Sequence, residues 1–319
     1  MHARHIRATM ASTSISPRAG AAGAAPGSRA VASERSGVAL MVGGGLLLGT
    51  LGVFVQEAGQ HPLTTVWFRC AFGLLALLLW GAASGRLAEL RLRGAALAAA
   101  LAAGALMVAN WALFFAAIQR TSIGVATVVF HVQPLWVLAF GVWWLREPVS
   151  RRQGASVLLA LLGLALASGL LDGEAAGRGL SGSYAWGVLM CLGGSLSYAG
   201  VTLIAKLARG VGSFALAWWQ CAVGTLALAA WPLVHGWPAA GTTWAWLAGL
   251  GVIHTGLAYV VLYAGMARLS ASRIALLQFV YPAAAVAIDW LVYGRALSVM
   301  QVTGVGLMTA ALVGMRSRA

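Results

Sequence analysis

A block from the first half of the chain is written again in the second. Residues 67–80 read WFRCAFGLLALLLW and residues 218–231 read WWQCAVGTLALAAW. Trp67/Trp218, Cys70/Cys221, Ala71/Ala222, Gly73/Gly224, Leu75/Leu226, Ala76/Ala227, Leu77/Leu228 and Trp80/Trp231 coincide at an offset of 151. Upstream, Gly37, Gly43, Gly44 and Leu46 return as Gly187, Gly193, Gly194 and Leu196 at an offset of 150. Downstream, Arg120, Ser122, Pro134 and Gln153 return as Arg268, Ser270, Pro282 and Gln301 at an offset of 148. One unit of about 150 residues therefore spans the chain twice, with short indels between blocks. Any fold for this chain has to be assembled from two copies of that unit. In an apolar chain, such a duplication is the usual trace of a carrier built from two structural repeats.

The chain is apolar throughout. Hydrophobic residues make up 61% of it and charged residues 9%, against roughly 25% charged in ordinary soluble domains. From residue 36 it breaks into ten apolar runs, at 37–56, 63–83, 95–118, 122–145, 152–171, 185–205, 213–234, 243–266, 270–293 and 298–315. Most are near the 20 or so residues a helix needs to cross about 30 Å of hydrocarbon. Helices are the expected form, because a backbone in lipid has to satisfy its own hydrogen bonds. The gaps hold breakers such as Gly59 to Pro62, Gly173 to Gly182, and Gly236 to Pro238. Few polar residues separate the third run from the fourth, or the eighth from the ninth.

The formal charge of +14 does not point to nucleic acid, because the basic residues stand singly or in pairs between apolar runs rather than on one soluble face. With the N-terminus in the cytoplasm, seventeen Lys and Arg fall on the inner side and only Arg120, Arg178 and Arg295 on the outer. That is the positive-inside pattern, and it puts both termini in the cytoplasm. Five helices per repeat is an odd number, so the second repeat enters the membrane upside down. The expected fold is an all-α polytopic membrane protein of ten transmembrane helices in two inverted five-helix repeats, 36–172 and 183–316. Residues 1–35, rich in Ala, Ser, Gly and Arg, are expected to form a disordered cytoplasmic tail.

The fourth run, VVFHVQPLWVLAFGVWWLREPVSRRQ (Val128 to Gln153), together with the repeated unit, resembles the drug/metabolite transporter superfamily and its ten-helix EamA-type metabolite exporters. The pattern is a mid-helix proline, an apolar stretch, a glutamate at the cytoplasmic end and a Gly-rich fifth helix. Pro134, Glu147 and Gly154 match it, as does Pro282 in the second repeat, where Arg295 replaces the acid. The resemblance covers residues 36 to 315. It implies a permease or exporter moving a small organic metabolite, an amino acid or a related compound, across a bacterial inner membrane by alternating access. A small multidrug or lipid-type exporter of the same fold is the alternative.

Carriers with inverted repeats place substrate near the midplane, where helices are interrupted. Pro134 and Pro282 fall near the centres of the fourth and ninth runs and are expected to kink them. Polar side chains precede both: His131 and Gln133, then Gln278 and Tyr281. Asn110, Trp111, Tyr198, His254 and Tyr259 are further polar or amphipathic groups at mid-helix, and these nine are the candidate substrate-binding residues. Trp111 and Tyr259, offset by 148, are expected to face each other. Arg69 and Asp289 are charges inside apolar runs. They are expected near the outer side, as gating or coupling groups, as a pair, or reaching the headgroups. His131, His254 and Asp289 are the titratable groups that could couple transport to protons.

An enzyme is not expected. Gly179 to Gly182 has a GxSG form, but Ser181 lies in a polar loop, and nucleophile motifs count only in their structural context. No HExxH and no P-loop lysine is present, and Cys70, Cys191 and Cys221 lie scattered in apolar runs, so neither metal nor cofactor is expected. The expected partners are a small-molecule substrate, the lipid bilayer and, if a coupling group titrates, protons.

Overall fold

The computed structural model describes residues 26–121, 123–168, 182–294 and 296–314. Among these residues all regular structure is helical. Eight helices among the described residues are long and apolar enough to cross a membrane: α1 (Val31–Ala58), α2 (Pro62–Ala83), α3 (Gly94–Ile118), α4 (Val125–Trp143), α6 (Gly182–Leu207), α7 (Ser213–His235), α8 (Thr243–Met266) and α9 (Ala271–Tyr293). Two shorter helices, α5 (Arg151–Ala167) and α10 (Val299–Gly314), complete the two sets of five. At 1.5 Å per residue they reach about 25 Å, which a bilayer accommodates by thinning locally. The helix that becomes α1 already begins at Pro26, upstream of the expected first span. Residues 1–25, Ser181 and Arg295 lie outside the described residues.

Contacts between the two halves come in exchanged pairs. α1 packs on α8 and α9, and its counterpart α6 packs on α3 and α4. α2 packs on α8, and α7 packs on α3. The remaining major contacts join equivalent helices directly: α2 with α7, α4 with α9, and α5 with α10. This is the contact pattern of a two-fold axis, and five helices per repeat make equivalent helices run in opposite directions. The fold is thus a pair of inverted repeats.

Small residues set how closely the helices approach. A Cβ on Gly163 would stand 2.6 Å from the Gly304 carbonyl oxygen, and a Cβ on Gly304 would stand 2.3 Å from that of Gly163. α5 and α10 therefore cross backbone on backbone, as small residues permit in lipid. A Cβ on Gly251 would lie 2.3 Å from the Phe72 Cβ and 2.8 Å from the Gly73 nitrogen, so α2 and α8 cross in the same way.

Several spans are interrupted. α4 is helical to Phe130, turns at His131–Val132 and restarts at Gln133; α9 is helical to Leu277, turns at Gln278–Phe279 and restarts at Val280. Pro134 cannot donate to the Phe130 carbonyl, nor Pro282 to that of Gln278, and each ring crowds the carbonyl it fails to bond. Each helix therefore gives way in the turn before its proline. α8 contains a π-helical segment, Leu250–Leu257, that no sequence pattern had flagged. α1 turns at Thr50.

Candidate functional site

The two interruptions meet in the bundle. Gln133 Nε2 donates to Thr202 Oγ1 at 3.2 Å, and Gln278 Nε2 donates to the same oxygen at 3.3 Å. Thr202 in turn donates to the Tyr198 carbonyl at 3.0 Å. One donated and two accepted bonds exhaust what a hydroxyl can make. Thr202 is fully buried on α6, so it ties the broken centres of α4 and α9 to a third helix. Gln278 Oε1 is left buried with no hydrogen-bond partner.

Aromatic rings surround this junction. The His131 ring stacks on Tyr281, with centroids 6.0 Å apart at 26°, and Phe130 stacks on Tyr198 at 6.2 Å and 24°. His131 Nδ1 is held 2.7 Å from the Thr127 carbonyl oxygen. Trp136 Nε1 donates to Ser195 Oγ at 3.0 Å, a second link from α4 to α6. Tyr198, Gln278 and Tyr281 are only half-buried although they occupy mid-helix positions.

Arg69 belongs to this interior. Its Nε donates to Thr255 Oγ1 at 2.9 Å, and its Cζ lies 4.9 Å from the centre of the Trp111 ring. The residue is buried, 6% exposed. Its Nη2 is buried without a hydrogen-bond partner. The Tyr259 side chain hydrogen-bonds to the Arg69 side chain. The π segment supports this placement: Thr255 donates to the Leu250 carbonyl at 2.9 Å, an i to i−5 reach, and so presents its oxygen to Arg69. Trp111 and Tyr259 both meet Arg69, and the Tyr259 ring stacks on Tyr263 at 5.6 Å.

Three candidates stand elsewhere. Asn110 donates to the Gly194 carbonyl at 2.9 Å and cross-links α3 to α6. His254 is paired through Nε2 with Thr50 Oγ1 at 2.8 Å and packs edge-on against Phe54 at 4.6 Å, beside the turn in α1. Asp289 is half-buried on α9 and is not the partner of Arg69, whose ion-pair range holds no carboxylate among the described residues. Thr202 and Thr50 were absent from the sequence reading. A hydroxyl one turn after Tyr198 in an apolar helix was the available signal for Thr202.

The two ends of the bundle differ. At one end Lys206 Nζ bonds Glu147 Oε1 at 2.9 Å and the Leu269 carbonyl at 2.8 Å, while the Ala271 amide donates to Glu147 Oε2 at 2.6 Å. This cluster fastens α4, α6 and the start of α9 together, with Gly141 close against Ala271. At the other end a cavity of about 340 Å³ opens beside Gln60, His61, Thr64, Trp231 and His235. It contains none of the predicted site residues. Among the described residues no group of three His, Cys, Asp or Glu side chains could hold a metal ion.

The sequence profile of the EamA-like transporter family matches the chain twice, over residues 35–169 and 185–317. The uncharacterized transporter YxxF of Bacillus subtilis (strain 168) is 27% identical over 270 residues, 84% of this chain and 85% of that protein. An uncharacterized transporter of Archaeoglobus fulgidus is 27% identical over 280 residues, 88% of this chain and 96% of that one. A protein of known crystal structure superposes with a TM-score of 0.76 at 18% identity, over 91% of this chain and 96% of that one, which speaks to the fold alone.

Proposed function

The chain belongs to the EamA-like transporter family and is a multi-pass membrane transporter, and on that footing we propose that it moves a small organic metabolite, an amino acid or a related compound, across a bacterial inner membrane by alternating access. The observation that carries this reading is the junction at Thr202, where glutamines beside the interrupted centres of α4 and α9 bond one hydroxyl. Broken helices expose backbone and polar side chains at depth, which is tolerated only where protein or a water-filled path surrounds them. The two repeats, 36–172 and 183–316, rock about this junction and expose it to one side at a time. Both termini face the cytoplasm, as the seventeen-to-three charge bias supports. The Glu147–Lys206 end is then cytoplasmic, and its ion pair is the closure of that side in the alternating cycle.

Substrate contacts come from His131, Gln133, Tyr198, Gln278 and Tyr281, with Trp111 and Tyr259 as the wall around Arg69. Asn110 and His254 position helices, since their polar atoms are engaged with Gly194 and with Thr50. A liposome uptake screen over amino acids, neutral solutes and cationic drugs, with and without a pH gradient, tests the reading. Uptake of a metabolite above empty vesicles is expected. Uptake of cationic drugs alone would assign the protein to the multidrug exporters of the same fold.

A further inference from the structure

We propose that Arg69 is the counter-ion for a carboxylate on the transported molecule, so that the substrate is a small monocarboxylate held through its acid group. The inference rests on the transporter reading above and names the chemistry of its site. A guanidinium stays protonated in any protein setting, so the charge on Arg69 cannot be relieved by losing a proton. In an intramembrane interior such a charge is expensive and is normally met by an opposite charge or by water. Among the described residues no carboxylate lies in ion-pair range of it, and its Nη2 has no hydrogen-bond partner. Its neighbours are the Thr255 and Tyr259 hydroxyls and the face of the Trp111 ring. The described ion pairs of the protein, Arg86–Glu89, Lys206–Glu147 and Arg273–Glu34, all lie elsewhere.

The geometry explains why the cation persists. Backbone contact between Gly73 and Gly251 locks α2 to the π segment of α8 and sets Thr255 against Nε. Trp111 covers the guanidinium plane. The group is thus fixed along one edge and one face, and the unpartnered Nη2 is the part left to bind. Nη2 can donate a charge-assisted hydrogen bond to an oxygen of an acid group, the stronger class of such bonds. One cation with aromatic neighbours neutralises a single negative charge, which suits a carboxylate and leaves a phosphate dianion under-compensated.

The test compares head groups on constant side chains. Purified wild-type protein is heated in detergent with each of the common amino acids, with the corresponding amides, and with phenyl phosphate beside 3-phenylpropionate. Stabilisation by at least one carboxylate, none by its amide and less by phenyl phosphate is expected. In proteoliposomes Arg69→Met is expected to lower uptake of that carboxylate roughly 100-fold, as loss of one partner of a buried charged pair does, and Arg69→Lys is expected to retain part of it. Equal stabilisation by acid and amide, stabilisation by no carboxylate, or undiminished uptake by Arg69→Met would each overturn the assignment. Because the wild-type comparison needs no variant, a failure of Arg69→Met to fold leaves the test intact. Uptake of neutral or cationic solutes with no response to any acid would sink the counter-ion role while leaving the transporter standing. Uptake of nothing in the full screen would count against the transporter reading itself.

Discussion

Gln133 in the first repeat and Gln278 in the second donate to one and the same oxygen, Thr202 Oγ1, at 3.2 and 3.3 Å. The two residues are not equivalent in the repeat: Gln133 corresponds to Tyr281, and Gln278 to Phe130. The junction is therefore asymmetric within a two-fold fold, and it ties three helices to one hydroxyl.

Thr202→Val keeps the shape and removes the hydroxyl, leaving two buried amides without an acceptor. Intramembrane hydrogen bonds average about 0.6 kcal/mol and reach about 1.7, so a loss of about 1–2 kcal/mol in stability is expected, with a lower melting temperature in detergent. Thr202→Ser is expected to behave as wild type. Equal melting temperatures for all three would remove the junction as a structural element.

The architecture was largely legible, and the interior chemistry only in part. Ten runs and two repeats could be read because lipid demands long apolar helices, and the duplication repeats Gly43/Gly193 and Pro134/Pro282 in register. The proline interruptions could be read because a missing N–H has local consequences. The burial of Arg69 among other helices could not be read along α2 alone. It goes with the backbone contact of Gly73 with Gly251 and the π segment that turns Thr255 toward it. A π-helix leaves no periodic trace in eight apolar residues. Thr202 was missed for a related reason: its importance lies in partners 69 and 76 residues away in sequence.

The reciprocal contact of Gly163 and Gly304 predicts a steep cost for any side chain there. Each Cβ would stand under 3 Å from a backbone oxygen that cannot move without shifting its helix. Gly304→Val is expected to destabilise by about 1–3 kcal/mol or more, the usual range for overpacking. Gly306→Val, two residues on with open space around it, is expected to be nearly silent. The comparison of melting temperatures checks the crossing of α5 and α10.

The orientation is tested with single cysteines at two exposed sites, Glu57 and Arg209. Glu57→Cys is expected to react with a membrane-impermeant maleimide added to intact cells, and Arg209→Cys only after lysis. The native cysteines are all buried and provide a low background. The reverse labelling pattern would turn the whole protein over.

Glu147 and Lys206 are expected to act as a latch on the closed end. Their side chains are 23% and 14% exposed, so water weakens the pair less than at an open surface. Neutralising it with Glu147→Gln is expected to cost the closed state about 1–2 kcal/mol, a factor of roughly 5–30 in its population. Ser272, 3% exposed behind the latch, reports the change. Ser272→Cys is expected to resist labelling in the otherwise native protein and to react faster once Glu147→Gln is added. An unchanged labelling rate would make the pair a static tie.

His131 offers the most direct test of the junction as a substrate path. Its ring stacks on Tyr281, its Nδ1 is occupied by the Thr127 carbonyl, and the turn that carries it is imposed by Pro134 rather than by the imidazole. Removing the ring therefore leaves the backbone geometry in place. His131→Ala is expected to abolish uptake in proteoliposomes while the protein still inserts, purifies as a single species and melts within a few degrees of wild type. His131→Phe separates two contributions of the ring, since it keeps the stack on Tyr281 and loses the nitrogens. If stacking alone matters, His131→Phe transports and His131→Ala does not. If the Nε2 atom contacts substrate or carries a proton, both fail, and only the second role makes wild-type uptake depend on a pH gradient. Normal uptake by His131→Ala would return the residue to helix packing and move the substrate path toward Arg69 and Trp111.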